Sequence, residues 1–352
     1  MGMKLNRETA TFCVKWLLLR LGFFRLLRWW WPRRELAVLR YHAVCLPACT
    51  YASRGISVTP KGFERQVRYL AKHYAVMPLE EAVACLRSGE LLPPNAVAIT
   101  FDDGYHDNYT AFQILRAYGA CATFFLTSNC IDDREVFWVS EVRHLILRTS
   151  QTVMRLDVPV KQVSEQAFDL RTAEEREAVV SQVTRLIKSC TIAEREVVLQ
   201  ALRTALADVD KPFDGPQLML SSEQVQDMLE GGMSMGGHTL THANLPSAGL
   251  ADAQHELLQC RLHLQQRFGM GAMAMAYPNG GANAYVTPDI QRLAQETGYD
   301  SAWTSASGFV DETTDLFCGP RIGVSESLVQ LVYDLEGERL RARLNAVVQA
   351  KG

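Results

Sequence analysis

This chain of 352 residues lacks the patterns that assign a sequence at once to several common classes of protein. It has no glycine-rich phosphate-binding loop, no dinucleotide-binding fingerprint and no Cys-x-x-Cys pair. Internal repeats and low-complexity tracts are also absent, which argues against repeat arrays and biased linkers. The net charge of −3 gives no overall signal for a nucleic-acid partner, so none is expected. What remains is a globular chain, 48% apolar, with enough material for one large domain or two small ones.

The nine cysteines do not form the regular framework of a disulfide-rich protein. Their number is odd and their spacing is scattered. This usage is typical of reduced thiols in a cytoplasmic protein. A metal site at Cys45 and Cys49 is an alternative, but buried small side chains explain the pair as well.

The sequence also lacks an uncharged run of the about 20 apolar residues that a membrane-spanning helix needs. Residues 1–34 instead combine eight Lys and Arg residues, and a single Glu, with many Leu, Phe and Trp residues. Arg20 and Arg25 interrupt the apolar stretch and no small-residue cleavage site follows, so we expect no cleavable signal peptide. We expect a basic, Trp-rich helix lying on the inner face of the membrane. A helix packed against the rest of the protein is the open alternative.

From residue 35 to 325 short apolar strands alternate with helical segments, which predicts parallel strands joined by crossover helices. Capping boxes at Thr172 and Thr191 predict a helical pair inserted at about residues 160–215. This pair is interpreted either as a substrate lid or as a packing elaboration. Residues 326–352 are predicted to form a C-terminal helical tail.

Two motifs carry the chemistry. Asp102 and Asp103 follow a buried strand, and His238 and His242 lie four residues apart behind a Gly-Gly step. Each motif alone is weak, because Asp-Asp-Gly is common in turns and His-x-x-x-His is often structural. In a segment that turns helically, the two histidines would face one ion. Together the motifs supply three ligands for a divalent cation and one carboxylate for proton transfer, which is the equipment of metal-assisted hydrolysis.

These motifs resemble known signatures. Thr100-Phe101-Asp102-Asp103-Gly104 and His238-Thr239-Leu240-Thr241-His242 resemble the first two signatures of the polysaccharide deacetylase family, carbohydrate esterase family 4. Residues 276–281, Ala-Tyr-Pro-Asn-Gly-Gly, resemble the third. The resemblance covers about residues 36–324 and implies a distorted (β/α)7 barrel that removes acetyl groups from N- or O-acetylated sugars. It implies Asp102 as the general base and Asp103, His238 and His242 as ligands of Zn²⁺, with Co²⁺, Ni²⁺ or Mn²⁺ as other candidates.

The sequence departs from the family in two places. Ala276 stands where the third signature carries an arginine that orients the base, and no histidine follows His263 to serve as the usual general acid. We expect Arg321 to replace the arginine, with a structural salt bridge as the alternative. Tyr41-His42 resembles an N-terminal Tyr-His of family members that act on poly-N-acetylglucosamine. We therefore expect His42 to be the general acid, unless it is a structural histidine at a strand end.

Four further residues are predicted to contact substrate. Tyr277 and Trp303 would form an apolar wall for the acetyl methyl or the sugar ring, and Pro278 and Asn279 belong to the third signature. The resemblance also implies that the oxyanion is bound by the metal and by the backbone N–H after the third signature's aromatic residue.

The expected substrate is an acetylated glycan or a lipid-linked sugar precursor, deacetylated at the cytoplasmic face of the membrane. Two other functions stay open. One is hydrolysis of non-sugar amides on the same scaffold. The other is a catalytically lapsed protein that serves in glycan binding or assembly.

Overall fold

The structure is a computed structural model that describes residues 7–158, 160, 166–209, 217–279 and 285–337. Its strands are β1 (Ala37–Tyr41), β2 (Ala43–Val44), β3 (Ser57–Val58), β4 (Ala75–Val76), β5 (Ala96–Phe101), β6 (Thr123–Leu126), β7 (Val153–Leu156), β8 (Gln166–Asp169), β9 (Ser234–Gly237), β10 (Ala274–Ala276), β11 (Ser301–Trp303) and β12 (Ile322–Gly323).

The α-helices are α1 (Arg7–Arg20), α2 (Phe23–Trp30), α3 (Pro60–His73), α4 (Leu79–Ser88), α5 (Asn108–Ala117), α6 (Trp138–Arg148), α7 (Ala173–Lys188), α8 (Ile192–Ala205), α9 (Ser222–Glu230), α10 (Leu245–Ala248), α11 (Leu250–Phe268) and α12 (Pro288–Glu296). A 3₁₀ segment spans Ser128–Asp133, and residues 328–337 are helical. The rest of the predicted C-terminal tail, residues 338–352, lies outside the described residues.

The main sheet is a curled parallel sheet in the order β11-β10-β9-β6-β5-β1-β12, with β4 beside β5. All its strand pairs are parallel, and β5 is buried at each of its six positions, as expected for a sheet covered on both faces. A further parallel bridge joins Trp303 to Gly319, close to where β12 pairs with β1. The predicted fold class is therefore confirmed: the chain forms a distorted (β/α)7 barrel.

The register of the sheet determines which side chains meet at its carboxyl edge. Tyr41 in β1 is paired with Phe101 in β5, so the next residues of the two strands, His42 and Asp102, lie side by side. The backbone N–H of Asp102 donates to the Tyr41 carbonyl at 3.0 Å. Polar residues that are 60 positions apart in sequence thereby reach one edge, as the carboxyl ends of parallel strands do.

Between β6 and β9 the chain builds a second, smaller hydrophobic core from α6, the antiparallel pair β7–β8, α7 and α8. This core begins at Trp138, earlier in the chain than the predicted start at about residue 160. Both predicted capping boxes are formed, at Thr172 for α7 and at Thr191 for α8. We call residues 138–206 the helical insertion.

The N-terminal helices lie against the barrel with one face only. Phe24 and Leu27 of α2 are buried against Val332, and Arg28 is buried beside Glu336. The opposite face of α2 is exposed and apolar, with Trp29 73% and Trp30 65% accessible. No helix within the described residues is both long and apolar enough to cross a bilayer.

Candidate metal centre and active site

Three predicted ligands meet in one buried group at the carboxyl edge of the sheet. Asp103 follows β5, His238 follows β9, and His242 lies four residues further on. One ligand atom from each residue lies within 4.8 Å of the other two. Asp103 Oδ1 is 3.3 Å from His238 Nε2 and 3.4 Å from His242 Nε2.

These separations fit a metal ion. Bonds of 2.0–2.2 Å in a tetrahedral site hold neighbouring ligand atoms about 3.3–3.5 Å apart. A carboxylate with two imidazoles is a donor set that suits zinc and other divalent first-row ions. With three protein ligands, the fourth position of a tetrahedral ion would be open to water or substrate.

Contacts behind the ligands fix their orientation. His238 Nδ1 lies 2.8 Å from the Ala276 carbonyl; since a carbonyl only accepts, Nδ1 carries the proton and Nε2 is left as the ligand atom. Ala276, which stands where the family has an arginine, thus orients His238 through its backbone carbonyl. The His242 ring instead packs against Phe137 and Trp138, at centroid distances of 5.1 and 5.9 Å.

The segment from His238 to His242 is a loop and not a helical turn, so the two histidines meet by another backbone path than the i, i+4 spacing of a helix. Thr239 and His242 have φ values of 62° and 56°, and Asp103 has 77°, all in the left-handed region. Such backbone costs on the order of 1–3 kcal/mol per residue and persists where surrounding contacts enforce it. Here the backbone N–H groups of Ser128 and Asn129 donate to the carbonyls of Thr239 and Leu240.

Asp102 is buried and held by Arg321. The guanidinium donates from Nη1 to Oδ1 at 2.6 Å and from Nη2 to Oδ2 at 2.8 Å, while Nε donates to the Thr304 carbonyl. Burial acts to raise the pKa of Asp102, but the charge of Arg321, assisted by His238 and His42, lowers it to about 2. Arg321 therefore lies where the missing arginine of the third signature was expected to act.

His42 lies on the other side of Asp102. Its Nε2 is 3.7 Å from Asp102 Oδ2, and its backbone carbonyl accepts a hydrogen bond from Asn108 Nδ2 at 2.7 Å. Burial lowers the pKa of His42, although the carboxylates of Asp103 and Asp102 oppose the shift. Asp102 thus has both Arg321 and His42 as neighbours, and the next residue in the chain is the ligand residue Asp103.

The predicted substrate contacts are placed differently. Trp303 is fully buried in the barrel core, with Nε1 donating to Ser301 Oγ, so it forms no open wall. Tyr277 is also buried, and its hydroxyl donates to the Phe317 carbonyl. Both aromatic residues therefore belong to the core at the ends of their strands. An aromatic residue at a strand end has the same sequence pattern whether it packs in the core or contacts a substrate.

The backbone of the third signature also departs from the expectation. The residue after Tyr277 is Pro278, which is buried and has no N–H, so the expected oxyanion donor does not exist there. The N–H of Tyr277 itself donates to the Trp303 carbonyl. Asn279 follows with φ 58°, half-buried, and its Nδ2 has no hydrogen-bond partner among the described residues.

Sequence reasoning missed the contribution of the helical insertion. Arg195 of α8 donates to the carbonyl and the hydroxyl of Thr241, and Glu256 of α11 accepts from the N–H and the hydroxyl of the same residue. Trp138 Nε1 donates to the His242 carbonyl. No local motif marks these contacts, because they join segments tens of residues apart.

The fold and the site define a (β/α)7-barrel protein with a buried Asp-His-His metal-ligand group. The family profile of polysaccharide deacetylases matches residues 90–302. Because this match covers more than half of the chain, the protein belongs to the polysaccharide deacetylase family.

One curated relative is YxkH of Bacillus subtilis (strain 168), provisionally named a polysaccharide deacetylase. It is 29% identical over 143 residues, which are 38% of this chain and 49% of YxkH. The match therefore spans about half the length of that relative.

Solved structures share the fold over most of the chain. The Streptococcus pyogenes deacetylase PplD, solved with acetate, is 19% identical with a TM-score of 0.57, and the alignment covers 87% of this chain and 99% of PplD. IcaB from Ammonifex degensii is 18% identical with a TM-score of 0.56, covering 87% and 98% of the two chains.

Proposed function

We propose that this protein is a divalent-metal-dependent hydrolase that removes acetyl groups from N- or O-acetylated sugars of a glycan or a lipid-linked glycan precursor. One observation carries the proposal: the buried Asp103-His238-His242 group is accompanied by a second buried carboxylate, Asp102, which pairs with Arg321 and lies 3.7 Å from His42 Nε2. This arrangement provides separate places for a cation, a base and an acid, which amide or ester hydrolysis requires. Family membership supports the acetylated sugar as substrate.

Asp103, His238 and His242 would hold the cation, with Zn²⁺ as the first candidate. A divalent ion there supplies a Lewis acid for the acetyl carbonyl and makes water more acidic. Asp102 is the proton acceptor for the attacking water, and Arg321 keeps its oxygens in one orientation.

His42 completes the proton path. Asp102, with a pKa of about 2, holds a proton only weakly. His42 Nε2 lies 3.7 Å from Asp102 Oδ2. We assign His42 as the group that receives this proton and delivers it to the leaving nitrogen or oxygen of the sugar. Tyr277 and Trp303 support the site by packing in the core. Within the third signature we assign substrate binding to Asn279, whose Nδ2 has no hydrogen-bond partner among the described residues.

The proposal is tested by metal analysis combined with acetate release from N-acetylglucosamine oligomers and cell-envelope glycan precursors. We expect Asp102→Asn and His42→Ala to retain the metal but to lose about 10²–10⁴-fold in kcat, because each removes a proton-transfer group. Asp289→Asn, an exposed carboxylate on α12, is the matched control. Release of acid from linear non-sugar amides alone, or metal binding with no turnover of any acetylated sugar, would overturn the proposal in favour of the other two functions.

We further propose that the N-terminal helices attach the protein to the inner, anionic face of the membrane, where a lipid-linked substrate would be presented. Large apolar side chains are exposed along this part of the chain: Phe12, Val14, Trp16, Leu17, Leu21, Leu26, Trp29, Trp30 and Trp31. Exposed Arg20 and Arg25 lie among them. Tryptophan at headgroup level with arginine on anionic lipid is the pattern of an interfacial helix.

Point variants test this surface better than a deletion, because Phe24 and Arg28 belong to the folded core. We expect a Leu26→Ser, Trp29→Ser, Trp30→Ser triple variant to lose most of its cosedimentation with phosphatidylglycerol vesicles. Leu91→Ser, which removes a leucine 82% exposed elsewhere on the protein, should bind as the wild type does. Equal sedimentation of the triple variant, or no binding by the wild type, contradicts the proposal.

A further inference from the structure

The helical insertion is docked directly onto the loop that carries the metal ligands. Lys188, the last residue of α7, accepts hydrogen bonds at its backbone carbonyl from Asn244 Nδ2 and from Ser247 Oγ, the latter at 2.9 Å. Both donors come just after His242 in the chain. The end of α7 is therefore fixed beside the ligand group.

The side chain of Lys188 is half-buried and electrostatically coupled to that group. Burial lowers the pKa of Lys188, and the Asp103 carboxylate opposes this shift. Among the described residues, Lys188 Nζ makes no hydrogen bond and no ion pair.

Lys188 also lines a cleft of about 390 Å³ between the insertion and the barrel. We call it the insertion cleft; its aromatic and charged lining consists of Tyr51, Arg143, Glu177, Arg185, Lys188 and Tyr285. Arg143 is neutralised by Glu177 through two hydrogen bonds of 2.6 Å. Arg185 and Lys188 remain, so the lining carries a net positive charge next to two tyrosine rings.

We propose that the insertion cleft binds an anionic group of the glycan, a phosphate or a carboxylate, beside the acetylated sugar, with Lys188 as the residue that contacts it. This inference rests on the proposed deacetylase function and names the class of substrate. Tyr51 and Tyr285 provide rings against which a sugar packs, and Arg185 adds a second cation to the lining of the cleft.

The physical reason is the cost of a partly desolvated ammonium without a counter-charge. Asp103 is the nearby negative charge, but as a ligand it would share that charge with the cation. With a divalent ion bound, the ligand group near Lys188 would be positive overall, and an anion from the substrate would compensate the charge of Lys188. A neutral glycan would leave this cost in place, whereas a phosphate or carboxylate forms a charge-assisted hydrogen bond.

The test compares matched pairs of oligosaccharides on the zinc-loaded full chain, by calorimetry for Kd and by acetate release for KM and kcat. The carboxylate pair is a tetrasaccharide of alternating N-acetylglucosamine and glucuronic acid and its carboxyl-reduced neutral form. The phosphate pair is chitobiose 1-phosphate and chitobiose. The variants are Lys188→Met, Lys188→Arg and Arg185→Gln, with Lys61→Met on the exposed side of α3 as control.

We expect at least one anionic sugar to bind the wild type about tenfold or more tightly than its neutral partner, the typical worth of a hydrogen bond to a charged group. Lys188→Met should abolish that preference through KM and Kd, with kcat on neutral sugars and zinc content unchanged. Lys188→Arg should keep part of it, and Lys61→Met all of it. The pair that shows the preference identifies the anion.

Equal binding of both members in both pairs overturns the inference, as does an unchanged preference in Lys188→Met. A fall in kcat on neutral sugars would place Lys188 in the reaction itself and also overturn it. If no sugar is deacetylated but the anionic one binds through Lys188, the proposed function fails and the insertion cleft stands.

Discussion

Asp102 shows how one residue is kept both buried and ionised. Two charge-assisted hydrogen bonds from Arg321 replace the hydrogen bonds that water would donate to an exposed carboxylate. The arginine comes from a segment 219 positions away in the chain, and not from the third signature, where Ala276 stands. Arg321 thus supplies a guanidinium to Asp102 although Ala276 has none to offer.

Arg321→Gln should move the acidic limb of the pH–rate profile upward. Asp102 accepts a proton only when ionised, so activity is lost as pH falls through its pKa. Without Arg321, burial would raise that pKa from about 2. We expect kcat at neutral pH to fall by at least about 10²-fold, the usual contribution of a proton-transfer group.

Arg321→Lys keeps the charge but not the two-pronged geometry, so its limb should move less than that of Arg321→Gln. Both variants should retain the metal, because Arg321 contacts no ligand among Asp103, His238 and His242. A profile of Arg321→Gln that keeps the wild-type acidic limb would show that Arg321 does not set the pKa of the base.

At the residue scale, the motifs predicted which side chains form the ligand group better than they predicted which residues surround it. Asp103, His238 and His242 follow from ligand chemistry, and their meeting follows from parallel strands that end at one edge. Trp303 and Tyr277 were interpreted as a substrate wall because a strand-end aromatic has one sequence pattern whether it faces a pocket or the core. The residue after Tyr277 is Pro278, which has no N–H and so excludes the expected backbone donor. The sequence alone was sufficient to show this.

At the scale of elements, the loop from His238 to His242 depends on helices inserted far upstream. Thr241 is held by Arg195 of the insertion and by Glu256 of α11, while Lys188 accepts hydrogen bonds from the residues that follow. The left-handed residues Thr239 and His242 need such support. The insertion is therefore part of the metal site as well as a separate core.

Arg195→Met should weaken metal binding without abolishing the fold. Loss of two hydrogen bonds to Thr241 frees the loop that positions His242, and supporting contacts of this kind are worth about tenfold or more in metal affinity. Competition with a chromophoric chelator measures the change. Arg203→Met is the matched control, since Arg203 lies on the same helix but pairs with Glu141 and Glu196.

If Arg195→Met and Arg203→Met bind the metal equally well, the insertion does not support the site. The helices themselves were predictable from the capping boxes at Thr172 and Thr191. Their docking was not, because hydrogen bonds such as that between Arg195 and Thr241 depend on tertiary packing that no periodicity in either segment records.

At the scale of the whole molecule, the two ends of the described chain close on each other through a buried charge. Arg28 of α2 donates to Glu336 Oε1 at 3.2 Å and to the hydroxyls of Tyr74 and Tyr69. Tyr74 also donates to Glu336 at 2.6 Å. One face of α2 thus packs on the barrel and the other is exposed, while attachment to a membrane stays a prediction.

Arg28→Met should destabilise the protein by about 3–5 kcal/mol, because it breaks a buried ion pair with the fully buried Glu336 carboxylate. Urea unfolding followed by circular dichroism measures the change. Arg25→Met, on the exposed side of the same helix, should be neutral within about 0.5 kcal/mol. The double variant Arg28→Met, Glu336→Gln should recover part of the loss, since it also removes the buried negative charge of Glu336 and leaves a neutral amide beside Tyr74. If Arg28→Met proves as stable as Arg25→Met, α2 is not anchored by this pair, and the exposed Trp29 and Trp30 would belong to a helix free to leave the barrel.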